Sequence, residues 1–210
     1  MSVVTHRPSA DRVILRDVSW ETYERLLEDL KSRRSPRLAY DQGVLEIMSP
    51  HLEHEGASFT LAAIVVIALE ELDLDYGPAG STTFKRDTLK RGFEPDSSFY
   101  IRNAERIRGK KKLDLEIDPP PDLLIEIDIT NDSLDKFPLY AALRVPEVWR
   151  YEDGLEIWIL HQGRYVRRHA SVAIPILNDK LVSELVESSL TMKRPAWSRQ
   201  TRKRIRALIK

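Results

Sequence analysis

Apolar residues recur along this chain at two spacings, and the switch between them lays out its elements. Over 20–30, Trp20, Tyr23, Leu26, Leu27 and Leu30 repeat at helical spacing behind Ser19, with Glu21 in the first turn. That pattern predicts an amphipathic helix capped by Ser19, with a charged outer face. Leu38-Ala39-Tyr40 and Val44-Leu45-Glu46-Ile47-Met48 flank Asp41-Gln42-Gly43 and read as a β-hairpin, stopped by Ser49-Pro50. Residues 52–72 are apolar nearly all round, which predicts a helix packed under a sheet. Gly77-Pro78-Ala79-Gly80 turns the chain into a short strand at 81–86, and 102–112 reads as a basic surface loop or short helix. Further on, 147–151, 155–160 and 164–168 alternate like strands joined by turns at Asp153-Gly154 and Gln162-Gly163. Residues 181–190 and 197–209 read as closing helices. Strands and helices intermixed in this way predict an α/β domain with a central mixed sheet flanked by helices.

The stretch Pro121-Asp122-Leu123-Leu124-Ile125-Glu126-Ile127-Asp128-Ile129-Thr130 departs from a plain core strand. Side chains alternate across a strand, so Leu123, Ile125, Ile127 and Ile129 share one face, and Leu124, Glu126, Asp128 and Thr130 the other. Two acids side by side on a mostly buried strand repel each other and lose hydration. They are tolerable only where a cation, a proton or a water-filled cleft meets them, which makes this strand a candidate metal site. Upstream, Pro95-Asp96 opens a short strand whose Phe99 and Ile101 are placed to reach the core, leaving Asp96 at the strand's mouth. Glu46 interrupts an apolar stripe shared with Val44 and Met48 and raises the same question. Each acid also has a plainer reading: Asp96 as a turn residue, Glu126 as a satisfied semi-buried acid, Glu46 as an edge-strand acid in solvent.

The charge balance adds a constraint. Lys and Arg total 33 and so do Asp and Glu, so a polyanion partner must be met by local segregation of charge, not by a basic protein as a whole. With no cysteine there are no disulfides and no thiolate metal sites. His51 and His54 stand three apart on the same helix, but only His6, His161 and His169 remain, too few and too scattered for a closed zinc site. His54 is placed near the cleft as a phosphate or water contact, against the commoner fate of a capping or solvated histidine. The longest apolar run, 61–69, is nine residues, too short to cross a bilayer, and no signal-peptide pattern stands in 1–17, so a cytoplasmic protein with no membrane association is expected. Residues 1–192 read as one domain, with 193–210 as a basic helical extension whose Trp197, Ile205, Leu208 and Ile209 suit packing onto a partner subunit or onto the domain itself.

An Asp at the mouth of one strand, an acid within a later strand and a nearby lysine resemble the PD-(D/E)XK nuclease superfamily, in particular its restriction-endonuclease-like bacterial branch. The resemblance runs through Gly43-Val44-Leu45-Glu46-Ile47-Met48-Ser49-Pro50, His54, Pro95-Asp96, Pro121-Asp122-Leu123-Leu124-Ile125-Glu126, Lys136 with Tyr140, and Val145-Pro146-Glu147-Val148-Trp149, covering roughly residues 15–190. It implies a restriction-endonuclease-like core and metal-dependent hydrolysis of DNA phosphodiesters. It further implies Asp96, Glu126, the Ile127 carbonyl and Glu46 around Mg²⁺ or Mn²⁺; a homodimer, which would bring two clefts together for double-strand cutting, is expected. The superfamily's lysine two positions after the strand acid is replaced here by Asp128, which joins Asp96 and Glu126 as a candidate catalytic residue and metal ligand, and Lys136 is the substitute cation. The alternative it leaves open is a catalytically inactive nuclease-fold protein that binds nucleic acid or dimerises.

Overall fold

The computed structural model describes residues 10–31, 35–127 and 134–209. Its strands form two sheets. The first is antiparallel and runs in the order β1 (Ala10–Leu15), β3 (Val44–Pro50), β2 (Arg37–Asp41), β6 (Arg91–Phe93), β5 (Phe84–Arg86). The second runs β11 (Arg164–Arg168), β10 (Leu155–His161), β9 (Glu147–Tyr151), β8 (Leu123–Ile127), β7 (Ser97–Tyr100), β4 (Gly77–Pro78), and is mixed because β8 and β9 are parallel. The expected mixed α/β core is therefore present, with a second, wholly antiparallel sheet beside it. The expected strand at 81–86 is shorter and begins only at Phe84.

Local chemistry sets the first sheet. Asp41 pairs with Val44 across a two-residue turn in which Gln42 and Gly43 both take positive φ, 46° and 104°, the twist that hairpins need. The sequence pattern does not announce β1. It runs along β3 from Ala10 opposite Pro50 to Leu15 opposite Leu45, and this turns β3 from an edge into an interior strand. Over the outer face of this sheet lies α1 (Trp20–Leu30), whose Trp20 and Tyr23 pack with Leu38, Tyr40 and Leu45. Ser19 caps it as expected, its hydroxyl accepting the Thr22 amide at 3.2 Å.

Two helices, α2 (Leu52–Glu71) and α5 (Asp179–Thr191), cover one face of the second sheet, and α6 (Arg194–Arg206) packs on both of them. Leu61, Ile64 and Ala68 of α2 meet Leu123, Ile125 and Ile127 of β8, Leu185 of α5, and Trp197 and Ile205 of α6 in one buried cluster. Each large side chain so buried contributes about 1.5–3 kcal/mol. Among the described residues only α2 is long and apolar enough to span a membrane, and half of that stretch is buried against these neighbours. Three basic residues of α6 are paired within the chain: Arg202 with Glu70 and Glu71, Arg206 with Glu71, Arg204 with Glu184. Leu208 and Ile209, just past its end, are exposed. A short α3 (Ala104–Ile107) lies within the basic stretch, where Arg108 pairs with Asp75 and Lys110 with Asp118.

The opposite face of β8 meets α4 (Phe137–Ala142) and the inner face of the first sheet. Leu124 packs there with Leu139, Tyr140, Val148, Ala39, Phe84 and Phe93. Pro138 sits in the first turn of α4, the one place a helix accepts it. Asp132 and Ser133, suited by sequence to cap this helix, lie outside the described residues.

Candidate active site

The chain crosses from the first sheet to the second at Glu94-Pro95-Asp96, between β6 and β7. Glu94 ties the crossover to β2. Its carboxylate accepts the Leu38 amide at 2.9 Å and the Thr83 hydroxyl at 2.6 Å, and its own amide donates to the Leu38 carbonyl at 3.0 Å. Asp96 is thereby fixed at the entry to β7. Ser97 pairs with Ile125, so the next step of that antiparallel ladder sets Asp96 beside Glu126. Glu46 reaches the same place from the other sheet. It stands opposite Ala39, a residue of the inner core, and points inward with it.

These acids converge on one ammonium. Lys136 Nζ lies 3.0 Å from Glu46 Oε1 and 3.5 Å from Glu126 Oε2, and Lys136 is only 7% exposed, against 1% for Glu46 and 2% for Glu126. The reading of Glu46 as an edge acid in solvent is thus ruled out by β1. Glu46 Oε2 also accepts the Leu134 amide at 2.9 Å, and Tyr140 donates its hydroxyl proton to Glu126 Oε1 at 2.6 Å. Asp96 Oδ2 accepts the Ile127 amide at 2.7 Å, while Oδ1 takes the Arg37 guanidinium. The Asp96 carbonyl accepts from Ser58 at 3.3 Å. Asp128 lies outside the described residues.

The electrostatics separate the two acids. Burial pushes the Asp96 carboxyl up, but His54, Arg37 and the Ile127 amide outweigh it and hold the group below its ordinary range. Burial also pushes Glu126 up, and Lys136 and the Tyr140 hydroxyl only partly offset it, so Glu126 ends above its ordinary range. Lys136 loses hydration, yet Glu126, Glu46 and Asp96 together raise it above the ordinary lysine value. It is a permanently charged ammonium at neutral pH. A carboxylate that ionises easily stands beside one that resists, with a fixed cation between two of the three acids, an arrangement common to catalytic sites and to buried ion-pair networks.

His54 is fully buried with Nε2 at 3.2 Å from Asp96 Oδ2, outside hydrogen-bond geometry, and neither ring nitrogen has a hydrogen-bond partner among the described residues. It belongs to the site, although its neighbour is an acid and not solvent. Two further residues, Arg37 and Glu55, escape the sequence pattern. Arg37, at the head of β2, bridges Asp96 and Glu55 on the first turn of α2, with Nη2 2.6 Å from Glu55 Oε1. In sequence it reads as the end of a basic surface run. Tyr140 reads as a core aromatic, which it is, and its hydroxyl is aimed at Glu126 as well; its placement one helical turn after Lys136 was the available signal.

The donors gathered here are carboxylate oxygens, the hard set that Mg²⁺ and Mn²⁺ take. Among the described residues no three His, Cys, Asp or Glu form a ready cage. A hard ion would rest on Asp96 and Glu126 with water and phosphate oxygens completing its shell, which is the habit of Mg²⁺. In that respect the residues present fit such an ion.

Comparison with known proteins sets this geometry in a family. No curated protein matches the chain. Among solved structures, one described as a putative nuclease belonging to DUF820 from Anabaena variabilis ATCC 29413 aligns over 92% of this chain and 99% of its own, at 12% identity and a TM-score of 0.49. A family described as "Putative restriction endonuclease" (Uma2) matches residues 20–192, a span running from the first residue of α1 to just past α5 and enclosing every site residue described above. The chain belongs to the Uma2 family, and its fold is that of the restriction-endonuclease-like PD-(D/E)XK proteins.

Proposed function

We propose that this protein is a metal-dependent nuclease that hydrolyses phosphodiester bonds of DNA. In this reading Asp96 and Glu126 hold Mg²⁺ or Mn²⁺, with Glu46, the Ile127 carbonyl and Asp128 as further oxygen donors. When bound, such an ion polarises the phosphodiester and lowers the pKa of an attached water. The chain's own residues supply the rest. The Ile127 amide and Arg37 fix the Asp96 carboxylate, Tyr140 fixes that of Glu126, and Lys136 presents a positive charge where charge builds up on the scissile phosphate. The observation that carries the reading is the convergence of acids from β3, the crossover and β8 on one buried lysine. We take the protein to work as a cytoplasmic homodimer, which would bring two such sites to one duplex.

One observation favours the alternative, a nucleic-acid-binding or dimerising module without catalysis. Each carboxylate oxygen of Glu46, Asp96 and Glu126 already faces a protein donor or cation. Incubation of plasmid and single-stranded DNA, with RNA in parallel, in Mg²⁺, Mn²⁺ or chelator separates the two. The nuclease reading expects metal-dependent nicking of DNA that falls about a hundredfold or more in Asp96→Asn and in Lys136→Met. Cleavage equal in wild type and Asp96→Asn, or undiminished by chelator, contradicts it.

A further inference from the structure

Arg37 helps to fix the Asp96 carboxylate, and it is the cation in direct contact with Asp96 Oδ1. Its guanidinium is divided between two acids of unlike surroundings. Asp96 is buried and pinned by the Ile127 amide, whereas the Glu55 side chain, 2.6 Å from Nη2, is 50% exposed at the start of α2. The Arg37 side chain is itself buried, at 8% exposure, and its Nε has no hydrogen-bond partner among the described residues. One end of the fork therefore holds a carboxylate that cannot move, and the other holds one that can.

A divalent ion on Asp96 would meet this guanidinium as a like charge in a poorly solvated place, where repulsion is screened far less than in water. We propose that Arg37 competes with the metal ion for Asp96, and that Glu55 is the acceptor onto which Arg37 is drawn when the ion binds. Arg37 is then a positioning residue that sets the site's metal affinity, with Glu55 acting through it. The inference rests on the nuclease reading for the identity of Asp96 as a ligand, but it concerns affinity for the ion and not cleavage.

Titration of the full chain with Mn²⁺ alone, followed by calorimetry, tests it. Arg37→Met is expected to tighten Mn²⁺ binding about tenfold or more, the effect of removing a cation a few ångströms away in a partly desolvated site. Glu55→Gln, which leaves Arg37 with Asp96 as its remaining carboxylate, is expected to weaken binding several-fold, roughly threefold or more. In the Arg37→Met background, Glu55→Gln should change nothing, because its effect passes through Arg37. A merely structural role predicts that both single variants weaken binding, and a simple through-space charge effect predicts additive changes; either result overturns the proposal. Glu55 is half-exposed, so Glu55→Gln remains testable even if Arg37→Met does not fold, and unchanged or tighter Mn²⁺ binding in it is sufficient to refute. If wild type and Arg37→Met both bind no Mn²⁺, the inference falls together with the metal site. Should the affinities follow the expected pattern while no variant cleaves DNA, the inference stands and the nuclease reading fails.

Discussion

The two faces of β8 bury their side chains equally and by different physics. Leu123, Ile125 and Ile127 face α2 and are stabilised by removal of apolar surface from water, an interaction without direction that tolerates change of shape. On the other face, Leu124 packs with Leu139 and Tyr140, and one step further the side chain is Glu126, held by Tyr140 and Lys136. A buried ion pair contributes little over an apolar pair, but removal of one partner leaves the other charged and stranded. The apolar face therefore carries stability in many small parts. The polar face carries it in a few mutually dependent ones, and only there is a reactive arrangement of charge available.

The sharpest way to test that contrast is Lys136→Met, which strands Glu46 and Glu126 together. Urea denaturation at neutral pH is expected to show a loss of about 3–5 kcal/mol. The lysine's contribution is present below its ordinary value of 10.5 and lost only as pH rises through its higher folded value, so the lysine's own titration should leave the deficit unchanged between neutral and mildly basic pH. Ile125→Ala on the apolar face is expected to cost about 2–5 kcal/mol, by lost burial and the cavity left behind. The two variants differ in outcome for the site: metal-dependent cleavage per folded molecule should survive Ile125→Ala and not Lys136→Met.

Tyr140→Phe removes the donor to Glu126 Oε1 and should cost about 1–2 kcal/mol in the same assay. A subtler effect is expected with pH. Glu126 sits above its ordinary 4.5, so the folded protein binds that proton more readily than the unfolded chain, and stability is lost as pH rises from 4.5 through the folded value. Asp96 sits below its ordinary 3.8 and does the reverse: its stabilisation is present above 3.8 and lost as pH falls through the folded value. Glu126→Gln should therefore lose less stability than wild type between pH 4.5 and neutrality, and an equal or steeper loss contradicts the assignment. At the bottom of the scale, Arg108→Ala breaks a pair with Asp75 in which both side chains are well exposed, and should leave the denaturation midpoint unchanged.

The same contrast decides what the sequence can be made to tell. The hairpin around Gln42-Gly43, the all-round apolar α2, the strands β9 to β11 and the helix behind Ser19 follow from local periodicity and turn chemistry, which act over a few residues. β1 is illegible because its pairing with β3 joins segments distant in the chain, and Ala10-Asp11-Arg12-Val13-Ile14-Leu15 does not alternate charged with apolar residues. The candidate acids Asp96, Glu126 and Glu46 could be picked out because a carboxylate in an apolar strand is out of place. Lys136 was found through the family resemblance, its helix position being otherwise that of a surface lysine. Arg37 and Glu55 gave no signal, since their meeting depends on how two sheets join at Glu94-Pro95-Asp96, and nothing in their own neighbourhoods encodes that.

The most direct measurement is crystallographic: soak crystals of the full chain in Mn²⁺ and record anomalous differences at the manganese edge. A peak within about 2.2 Å of carboxylate oxygens of both Asp96 and Glu126 is the predicted result. Manganese bound elsewhere, or none at these two acids when Mn²⁺ is saturating, would contradict a metal-dependent site at the junction of the two sheets.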